Sequence, residues 1–506
     1  MNIKTLLVRV GVTLTMALGF SLWLGTSPGI GAQAASLAQP TPINEVFPDP
    51  QMALTMEEKL GKTTVTDLVS QSELDSLTEL KSNLPIASIE GIQYLTNLTE
   101  LNISNAEVSD ISALKDLTKL TKLEMYQNNI SDINVLENLT NLTDLDLHDN
   151  QITDISLVRN LTNLVELNLA YNQISDISAV STLSKLNKLW FTDNQVSDIS
   201  AVAGLNNLSS LSLGYNQISD ISILTNLTNL DGLGIDNNQV SDLTPIANLT
   251  NLTYVGLHNN QISDLTPIAN LTNLTRMYLS NQQITNNPIP FHSNIAIPNN
   301  IKNNKNDVIA PLVISNEGTY DNSNVIWNLA DYVNKVSYTF SQQVTIGSAT
   351  ETFNGTVTQP LELYTVTFDV DGVTTNETLE ADTTLLTEPT PPTKEGYTFA
   401  GWYDAKTNGT KWNFETDKMP AKDITLYAQF SEDKSPAEDD TDKGIPNVPA
   451  INDGDVVHSL GSSEPPAEEN VNISLPKTGD SQNPLVIFMG LFLLGTGIIS
   501  LHKIRN

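Results

Sequence analysis

Apolar residues recur along the middle of the chain with a fixed period of 22 residues. One column of leucines comprises Leu98, Leu120, Leu142, Leu164, Leu186, Leu208, Leu230, Leu252 and Leu274. Two further apolar columns keep step with it and begin at Leu101 and Ile103. Such columns are typical of leucine-rich repeats, in which each turn adds one short strand to a parallel sheet and the apolar side chains stack into one core. The pattern predicts an α/β leucine-rich-repeat solenoid over residues 81–287.

An asparagine column runs through the same turns and comprises Asn128, Asn150, Asn172, Asn194, Asn216, Asn238 and Asn260. An amide side chain has both donors and acceptors, so it can satisfy backbone groups of adjacent turns where the chain bends inward. The column ends at Ala106 on one side and at Gln282 on the other. We expect these two positions to mark atypical end turns, where caps protect the terminal core.

The segments on either side of the repeats predict three further domains. Before them, residues 35–80 predict a helical N-terminal cap, in which Met56–Gly61 reads as a short helix closed by glycine. After Pro288 the period gives way to strand-like alternation, and Asn354-Gly355 predicts a hairpin turn within a small β-sandwich over residues 288–363. A second β-rich module is expected over residues 364–430, with turns at Gly372, Gly396 and Gly409.

The N-terminal segment, residues 1–34, has the features of a secretory signal peptide. Lys4 and Arg9 precede an apolar run, and Ala32-Gln33-Ala34 fits the small-x-small rule for signal peptidase, which predicts cleavage between Ala34 and Ala35. A single membrane anchor is the alternative, and the polar residues after Gln33 disfavour it. We therefore expect the mature chain to be exported.

The C-terminal segment, residues 475–506, combines a short motif, an apolar run and a basic tail. The motif is Leu475, Pro476, Lys477, Thr478 and Gly479. The apolar run at residues 484–501 is long enough to span a bilayer, and the basic tail would hold it on the cytoplasmic side. This end resembles the sortase sorting signal, whose enzyme would cut after Thr478 and join its carbonyl to a peptidoglycan amine. Sortase and peptidoglycan are the expected partners there, and membrane contact is expected only through this transient segment.

Charge and composition narrow the possible partners of the chain. It has 506 residues, no cysteine and a formal net charge of −33. Because a polyanion repels phosphate, nucleic acid and anionic lipid are disfavoured as partners. Without cysteine there are no disulfides, so stability must come from burial and repetition. Residues 431–474 are rich in Glu, Asp, Pro and Ser, which predicts a disordered acidic spacer.

The order of these parts resembles the internalin family of Listeria. Asn44–Pro50 resembles the family's cap, and Val336–Ser341 with Gly355–Pro360 resembles its Ig-like inter-repeat domain. Residues 364–430, with the segment Gly396–Tyr403, resemble the Listeria–Bacteroides β-grasp-type repeat. The resemblance implies an adhesin or virulence factor on the wall of a Gram-positive bacterium. Such a protein would bind a host-cell surface protein through the concave face of the repeats. The resemblance does not identify the receptor.

Side chains that point outward from the repeat strands are the candidate ligand-binding residues. Aromatic side chains dominate binding hot spots, and they are only 6% of this chain. The candidates on or beside the concave face are Tyr126, Asp146, His148, Tyr171, Trp190, Tyr215, Tyr254 and Tyr278. Trp190 is the strongest of them. The alternative is that these are isolated surface aromatics without a role.

Two other features of the outward positions each have two readings. An acidic region comprises Glu124, Asp144, Asp146, Asp149 and Glu166, with Lys122 and Lys188 at its edges. It would steer a basic partner, or it is simply a solvated charged face. A strip without side chains comprises Gly214, Gly232, Gly234 and Gly256. It would let a partner approach closely, or it reflects drift at unselected positions.

No constellation in the sequence points to catalysis, a metal or a cofactor. His148 and His258 are five turns apart, too far to share a metal ion. Asp369 begins a segment like the start of a calcium loop, and a β-turn is the expected structure there. Ser-Asp pairs such as Ser175-Asp176 have no histidine partner and are expected to be turn residues. A non-enzymatic adhesin is favoured, a structural or masking envelope protein is the alternative, and a wall-modifying enzyme is disfavoured.

Overall fold

The computed structural model describes residues 35–381 and 388–433. The predicted cleavage residue Ala34, the spacer from residue 434 onward and the sorting motif at residues 475–479 lie outside the described residues, whereas Ala35 lies within them. Within the described residues, no helix is both long enough and apolar enough to cross a membrane.

The N-terminal cap packs short helices against the first turn of the repeats. Strands β1 (Thr41–Pro42) and β2 (Leu68–Val69) pair antiparallel, and the helices are α1 (Ile43–Val46), α2 (Pro50–Lys59) and α3 (Gln71–Leu74). Helix α2 begins at Pro50 rather than near Met56, because Asp49 caps it by accepting hydrogen bonds from two backbone N–H groups at 2.9 Å. Its predicted glycine end is confirmed, since Gly61 has φ 64°.

Helix α3 begins with a capping box. Ser70 and Glu73 exchange side-chain and backbone hydrogen bonds, and Lys62 Nζ lies 2.5 Å from the Glu73 carboxylate. The Lys62 hydrogen bond, followed by those from Ser70, lowers the pKa of Glu73 to about 2. The carboxylate therefore stays ionised at the start of the helix over the whole physiological pH range.

The repeats form the predicted solenoid, built on a parallel sheet of ten strands within the described residues. In chain order the strands are β3 (Glu79–Ser82), β4 (Glu100–Ile103), β5 (Lys122–Glu124), β6 (Asp144–Asp146), β7 (Glu166–Asn168), β8 (Lys188–Trp190), β9 (Ser210–Ser212), β10 (Gly232–Gly234), β11 (Tyr254–Gly256) and β12 (Arg276–Tyr278). Each pairs with its neighbours in sequence order, and the predicted leucine columns are buried. Strand β3 crosses the boundary between residues 80 and 81, where the sequence analysis placed the start of the repeats.

A short 3-10 helix returns the chain in each turn. Among the described residues these helices are Ile92–Tyr94, Ser112–Leu114, Asn134–Asn138, Ser156–Asn160, Ser178–Thr182, Ser200–Val202, Ser222–Asn226, Thr244–Ile246 and Thr266–Ile268. An aspartate two residues before the helix start accepts a backbone N–H bond, as in Asp176 with Ser178 at 2.8 Å. This bond lowers the pKa of the Asp176 and Asp220 carboxyls. The aspartates of the Ser-Asp pairs are thus turn residues, as predicted.

The asparagine column bonds to the backbone as expected, but its predicted end is wrong. Asn172 donates to the carbonyls of Leu147 and Leu169 and accepts from the N–H of Ile152. Gln282 makes the same bonds one turn after Asn260, accepting from Ile262 and donating to Leu257 and Leu279. The longer amide continues the ladder into the next domain, because its backbone has moved into another strand.

The Ig-like domain follows without a break in the hydrophobic core. Its strands are β13 (Gln282–Thr285), β14 (Ile289–Pro290), β15 (Asn294–Pro298), β16 (Val313–Ile314), β17 (Thr319–Asp321), β18 (Asn324–Asn328), β19 (Lys335–Ile346) and β20 (Ala349–Glu362). They form two sheets, in the orders β13-β20-β19-β16 and β15-β18-β17, and β14 joins the first sheet by pairing with β20. One buried cluster joins the cap, the repeats and this domain, from Ile43 to Leu361.

The predicted hairpin turn at Asn354-Gly355 is wrong. Strand β20 runs straight through both residues, and the turn lies at Gly347 and Ser348. A side chain at Gly355 would place its Cβ 2.4 Å from the carbonyl oxygen of Gln282 on the paired strand β13. The glycine is needed for close backbone approach rather than for a turn.

The last described module is a separate four-stranded sheet. Its strands are β21 (Tyr364–Val370), β22 (Val373–Leu379), β23 (Tyr397–Tyr403) and β24 (Ile424–Glu432), in the order β22-β21-β24-β23. The pair β21 and β24 is parallel, and the others are antiparallel. A second buried cluster holds it together, with Phe368 against the ring of Trp402 at 5.0 Å. The Asp369 carboxylate accepts from the N–H of Gly372 at 2.6 Å, so this segment is a turn.

Candidate functional site

Strands β5 to β8 form the charged half of the concave face. The middle residue of each strand is buried, and the residues on both sides of it point outward. The first positions hold Lys122, Asp144, Glu166 and Lys188, and the third positions hold Glu124, Asp146, Asn168 and Trp190. The regular core beneath thus sets these side chains side by side at the strand spacing of about 4.8 Å.

A pocket opens in this surface, and we call it the Trp190 pocket. Its lining residues are Lys122, Glu124, Asp144, Leu145, Asp146, Glu166, Asn168 and Trp190, and its volume is about 130 Å³. Leu145, which is 2% exposed, is the one core residue in the lining. Since about 10–15 Å³ of such volume already holds a water molecule, the pocket has room for several waters or for a side-chain head group.

The carboxylates of the pocket face one another across adjacent strands. The register places Glu124 opposite Asp146 and Asp144 opposite Glu166. Like charges directly opposite each other in a sheet destabilise it. The folded chain therefore keeps this arrangement at a cost that the buried core offsets.

Two lysines neutralise part of the negative charge. Lys122 Nζ lies 3.0 Å from a Glu124 oxygen, and Lys188 Nζ lies 2.6 Å from a Glu166 oxygen. The hydrogen bond to Glu124, with added attraction from the charge of Asp144, raises the pKa of Lys122. Asp144 itself accepts a hydrogen bond from a threonine hydroxyl at 2.6 Å, which supplies no positive charge. The pocket thus remains negative overall.

An aromatic and acidic group borders the pocket. The rings of Tyr126 and His148 stack with their centroids 4.5 Å apart, and His148 Nδ1 lies 2.7 Å from an Asp146 oxygen. Lys188 Nζ lies 6.0 Å from the centre of the Trp190 ring. Of the predicted residues, Asp146 and Trp190 line the same pocket from strands β6 and β8, and Tyr126 and His148 adjoin Asp146 just beyond the ends of β5 and β6.

A second cluster lies at the other end of the face. Tyr254 and Tyr278 meet edge to face at 6.0 Å, and the ring of His258 lies 6.3 Å from Tyr278. His258 Nε2 is 3.5 Å from an Asp236 oxygen. Burial, followed by the charge of Asp236, raises the pKa of the Tyr254 hydroxyl. The sequence analysis missed Asp236, although an acidic residue with glycines at the neighbouring outward positions is a usable signal.

The glycine strip is not free of side chains, which corrects the sequence analysis. A Cβ added to Gly214 would lie 2.9 Å from the Asp236 carboxylate, and one added to Gly256 would lie 2.9 Å from the Tyr254 hydroxyl. The side chains of Asp236 and Tyr254 thus fold over these glycines and occupy the space. The glycines make room for neighbouring side chains, and the backbone there is not left open to a partner.

Tyr171 and Tyr215 lie beyond the strand ends rather than in the rows of strand side chains. Their φ angles are 56° and 55°, in the left-handed region, and their exposed fractions are 51% and 52%. They project from the turn that follows strands β7 and β9. Within the described residues, no group of three or more His, Cys, Asp or Glu side chains is placed to hold a metal ion.

Comparison with known proteins gives the family. A family model for the N-terminal part of bacterial adhesion and invasion proteins matches residues 31–75. Models for leucine-rich repeats match 118–160, 162–204 and 206–248, the LRR-adjacent domain matches 307–362, and the Listeria-Bacteroides repeat domain matches 364–429. Internalin H of Listeria monocytogenes is 63% identical over 425 residues, which span 84% of this chain and 73% of internalin H. The chain belongs to the internalin family.

Two other internalins of Listeria monocytogenes match smaller parts of the chain. Internalin C is 44% identical over 93 residues, which cover 18% of this chain and 31% of internalin C. A crystal structure of an internalin designated inlF is 45% identical, with a TM-score of 0.47, and the match covers 50% of this chain and 75% of that one. This internalin therefore has the family's cap, repeats and LRR-adjacent domain, followed by a Listeria-Bacteroides repeat.

Proposed function

We propose that this internalin is a surface adhesin, covalently anchored to the wall of a Gram-positive bacterium, that binds a host-cell surface protein through its concave face. The observation that supports it is the Trp190 pocket, where an outward indole lies among charged groups on a rigid sheet. Aromatic residues on rigid elements lose little conformational entropy on binding. The structural or masking envelope role is the alternative, and it requires no occupant of this pocket.

The adhesin proposal is tested with the full chain displayed on a Gram-positive bacterium that has sortase and no internalin. Attachment to epithelial cells is counted for the parent chain and for Trp190→Ser. Loss of a central aromatic anchor costs about 2 kcal/mol, or about thirtyfold in affinity, so attachment should fall steeply. Tyr320→Ser is the matched control, because Tyr320 is an exposed aromatic in the Ig-like domain and 36% exposed.

The control variant should attach like the parent. Equal attachment of the parent and of bacteria without the chain, on several host-cell types, would contradict the adhesin and favour the envelope role. Equal attachment of the parent and of Trp190→Ser would show that the binding surface does not include the pocket.

The anchoring part of the proposal has its own test. Thr478→Ala in the full chain should abolish acyl transfer to peptidoglycan, so the protein should move from the wall fraction to the membrane and the medium. Lys477→Gln serves as the control, since it changes the variable position of the motif. Immunoblots of muramidase-released wall material measure the distribution. Wall attachment of the Thr478→Ala chain would show that anchoring does not depend on this residue.

A further inference from the structure

We infer that the Trp190 pocket binds the guanidinium group of an arginine side chain presented by the protein partner. The inference rests on the proposed function, since it names the chemistry that a partner of this face must carry. It commits the pocket to one occupant, a single basic side chain, and excludes anionic and purely apolar ones.

The charge arrangement favours a cation over any other head group. Asp144 and Glu166 stand opposite each other on adjacent strands, and Leu145 and Asp146 also line the pocket. Within the described residues, Asp144 makes no salt bridge, whereas Glu166 makes one with Lys188. A cation placed between the two carboxylates would convert a repulsive pair into two attractive ones. The cost of keeping like charges opposed is then recovered in the complex.

The shape of the acceptors favours guanidinium over ammonium. A planar guanidinium carries five donors in a fixed fork that pairs with carboxylates two bonds at a time. Glu124, Asp144, Asp146 and Glu166 all line one pocket and present carboxylate oxygens from the three neighbouring strands β5, β6 and β7. An ammonium ion presents three donors around a point and satisfies fewer of these oxygens.

The indole adds a recognition surface that a carboxylate cluster alone does not have. Trp190 lines the same pocket, and a guanidinium stacks on an aromatic face as well as attracting it electrostatically. The Lys188 ammonium at 6.0 Å from this ring shows that the indole already lies beside a positive charge. At about 130 Å³, the pocket is large enough for a side-chain head group.

The inference is tested on the full mature chain labelled with 5-fluorotryptophan. N-acetyl-arginine amide, N-acetyl-lysine amide and the neutral isostere N-acetyl-citrulline amide are titrated in turn, followed by fluorine NMR. The Trp190 signal is assigned by its absence from Trp190→Phe. The arginine probe should shift this signal saturably, the lysine probe less, and the citrulline probe not at all.

Two variants give the matched comparison. Asp144→Asn with Glu166→Gln removes the opposed charges, so it should weaken arginine binding about tenfold or more while leaving the fold intact. Asp193→Asn removes one charge from an exposed turn outside both the pocket lining and the acidic region, at a φ of 56° that asparagine tolerates well, and should bind like the parent.

The outcomes separate this inference from the adhesin proposal. No shift of the Trp190 signal up to about 100 mM arginine probe overturns it, as does an equal response to citrulline or to lysine. Attachment to cells that survives the double variant, without any fluorine response, overturns the arginine pocket and leaves the adhesin standing. An arginine response in a chain that attaches to no host cell supports the pocket and contradicts the adhesin alone.

Discussion

Tyr171 and Tyr215 occupy backbone positions that other turns give to smaller polar residues. The equivalent positions hold Asn105, Gln127, Asp149, Asp193, Asn237, Asn259 and Asn281, all with positive φ. Left-handed backbone costs a residue with a Cβ about 1–2 kcal/mol, and asparagine and aspartate bear it best. With half of each tyrosine exposed, burial offsets little of this cost. The stability of the turn therefore does not explain why tyrosine occupies these two positions.

Tyr171→Asn should stabilise the chain, by about 0.5–1 kcal/mol, because asparagine relieves the backbone strain. Urea unfolding followed by circular dichroism measures the change. Tyr126→Asn is the control, since Tyr126 lies two residues beyond its strand and stacks on His148. A destabilised Tyr171→Asn chain would show that the ring makes stabilising contacts that outweigh the strain.

At the scale of single residues, the sequence predicts which positions point outward from the strands. It does not predict which side chains contact one another there. The period places Trp190 and Asp146 on one face because the buried leucines fix the register of each strand. It does not say that the Asp236 side chain folds over three glycines, since a side-chain conformation depends on its neighbours across strands. The position of Tyr171 beside the face was visible, whereas its φ angle was not.

At the scale of elements, the junction between the repeats and the Ig-like domain is made by backbone contact. Strand β13 pairs with β20 in parallel, and Gln282 lies opposite Gly355. At the turn of the β19–β20 hairpin, the N–H of Ser348 donates to the carbonyl of Leu274 at 2.9 Å. Both contacts lock the long β19–β20 hairpin against the last turn, so the edge of the repeat sheet is covered.

Gly355→Ala should destabilise this junction, by about 2 kcal/mol or more, because its Cβ would meet the Gln282 carbonyl at 2.4 Å. Thermal unfolding of the full chain measures the loss. Gly204→Ala is the matched control, since nothing lies within 4 Å of its added Cβ, and it should be neutral or slightly stabilising. Equal midpoints for the two variants would mean that β13 shifts to accept the methyl group.

Two errors at this scale have the same origin. Asn354-Gly355 is a strong local turn signal, yet the pairing of β20 with β13 and β19 keeps the chain extended there. Gln282 looked like the end of the amide ladder, yet it makes the ladder's bonds from the first residue of a new strand. In both cases a contact with a distant strand decides the structure, and local sequence does not contain that contact.

On the scale of the whole molecule, the described residues contain two hydrophobic cores. The first joins the cap, the repeats and the Ig-like domain, and Leu363 still packs against it. The second is built on Val366, Phe368 and Trp402, and Tyr364 packs against it. The boundary between the two cores therefore falls between the consecutive residues Leu363 and Tyr364. The domain order was readable from the sequence, because each part has its own period, whereas the fusion of three parts into one core was not.

We therefore expect two unfolding transitions in calorimetry of the full chain. Phe191→Ala, which empties a fully buried site in the repeats, should lower only the transition of the first core. Trp402→Ala should lower only that of the second core. Each change costs about 3–5 kcal/mol. A single transition that moves with both variants would show that the two cores unfold together.

The amide ladder also affects how the number of repeats in the gene for this protein can change. Each asparagine of the column bonds to equivalent backbone atoms in its own turn and in the preceding turn. If a whole number of 22-residue repeats is removed or inserted, the asparagines at the new junction therefore meet equivalent backbone partners. Unequal recombination between repeats should therefore delete or duplicate turns without leaving an orphaned bond. Each event would shorten or lengthen the sheet by about 4.8 Å and bring new side chains next to one another. A lineage can thus exchange one recognition surface for another in single genetic steps while the fold is inherited unchanged.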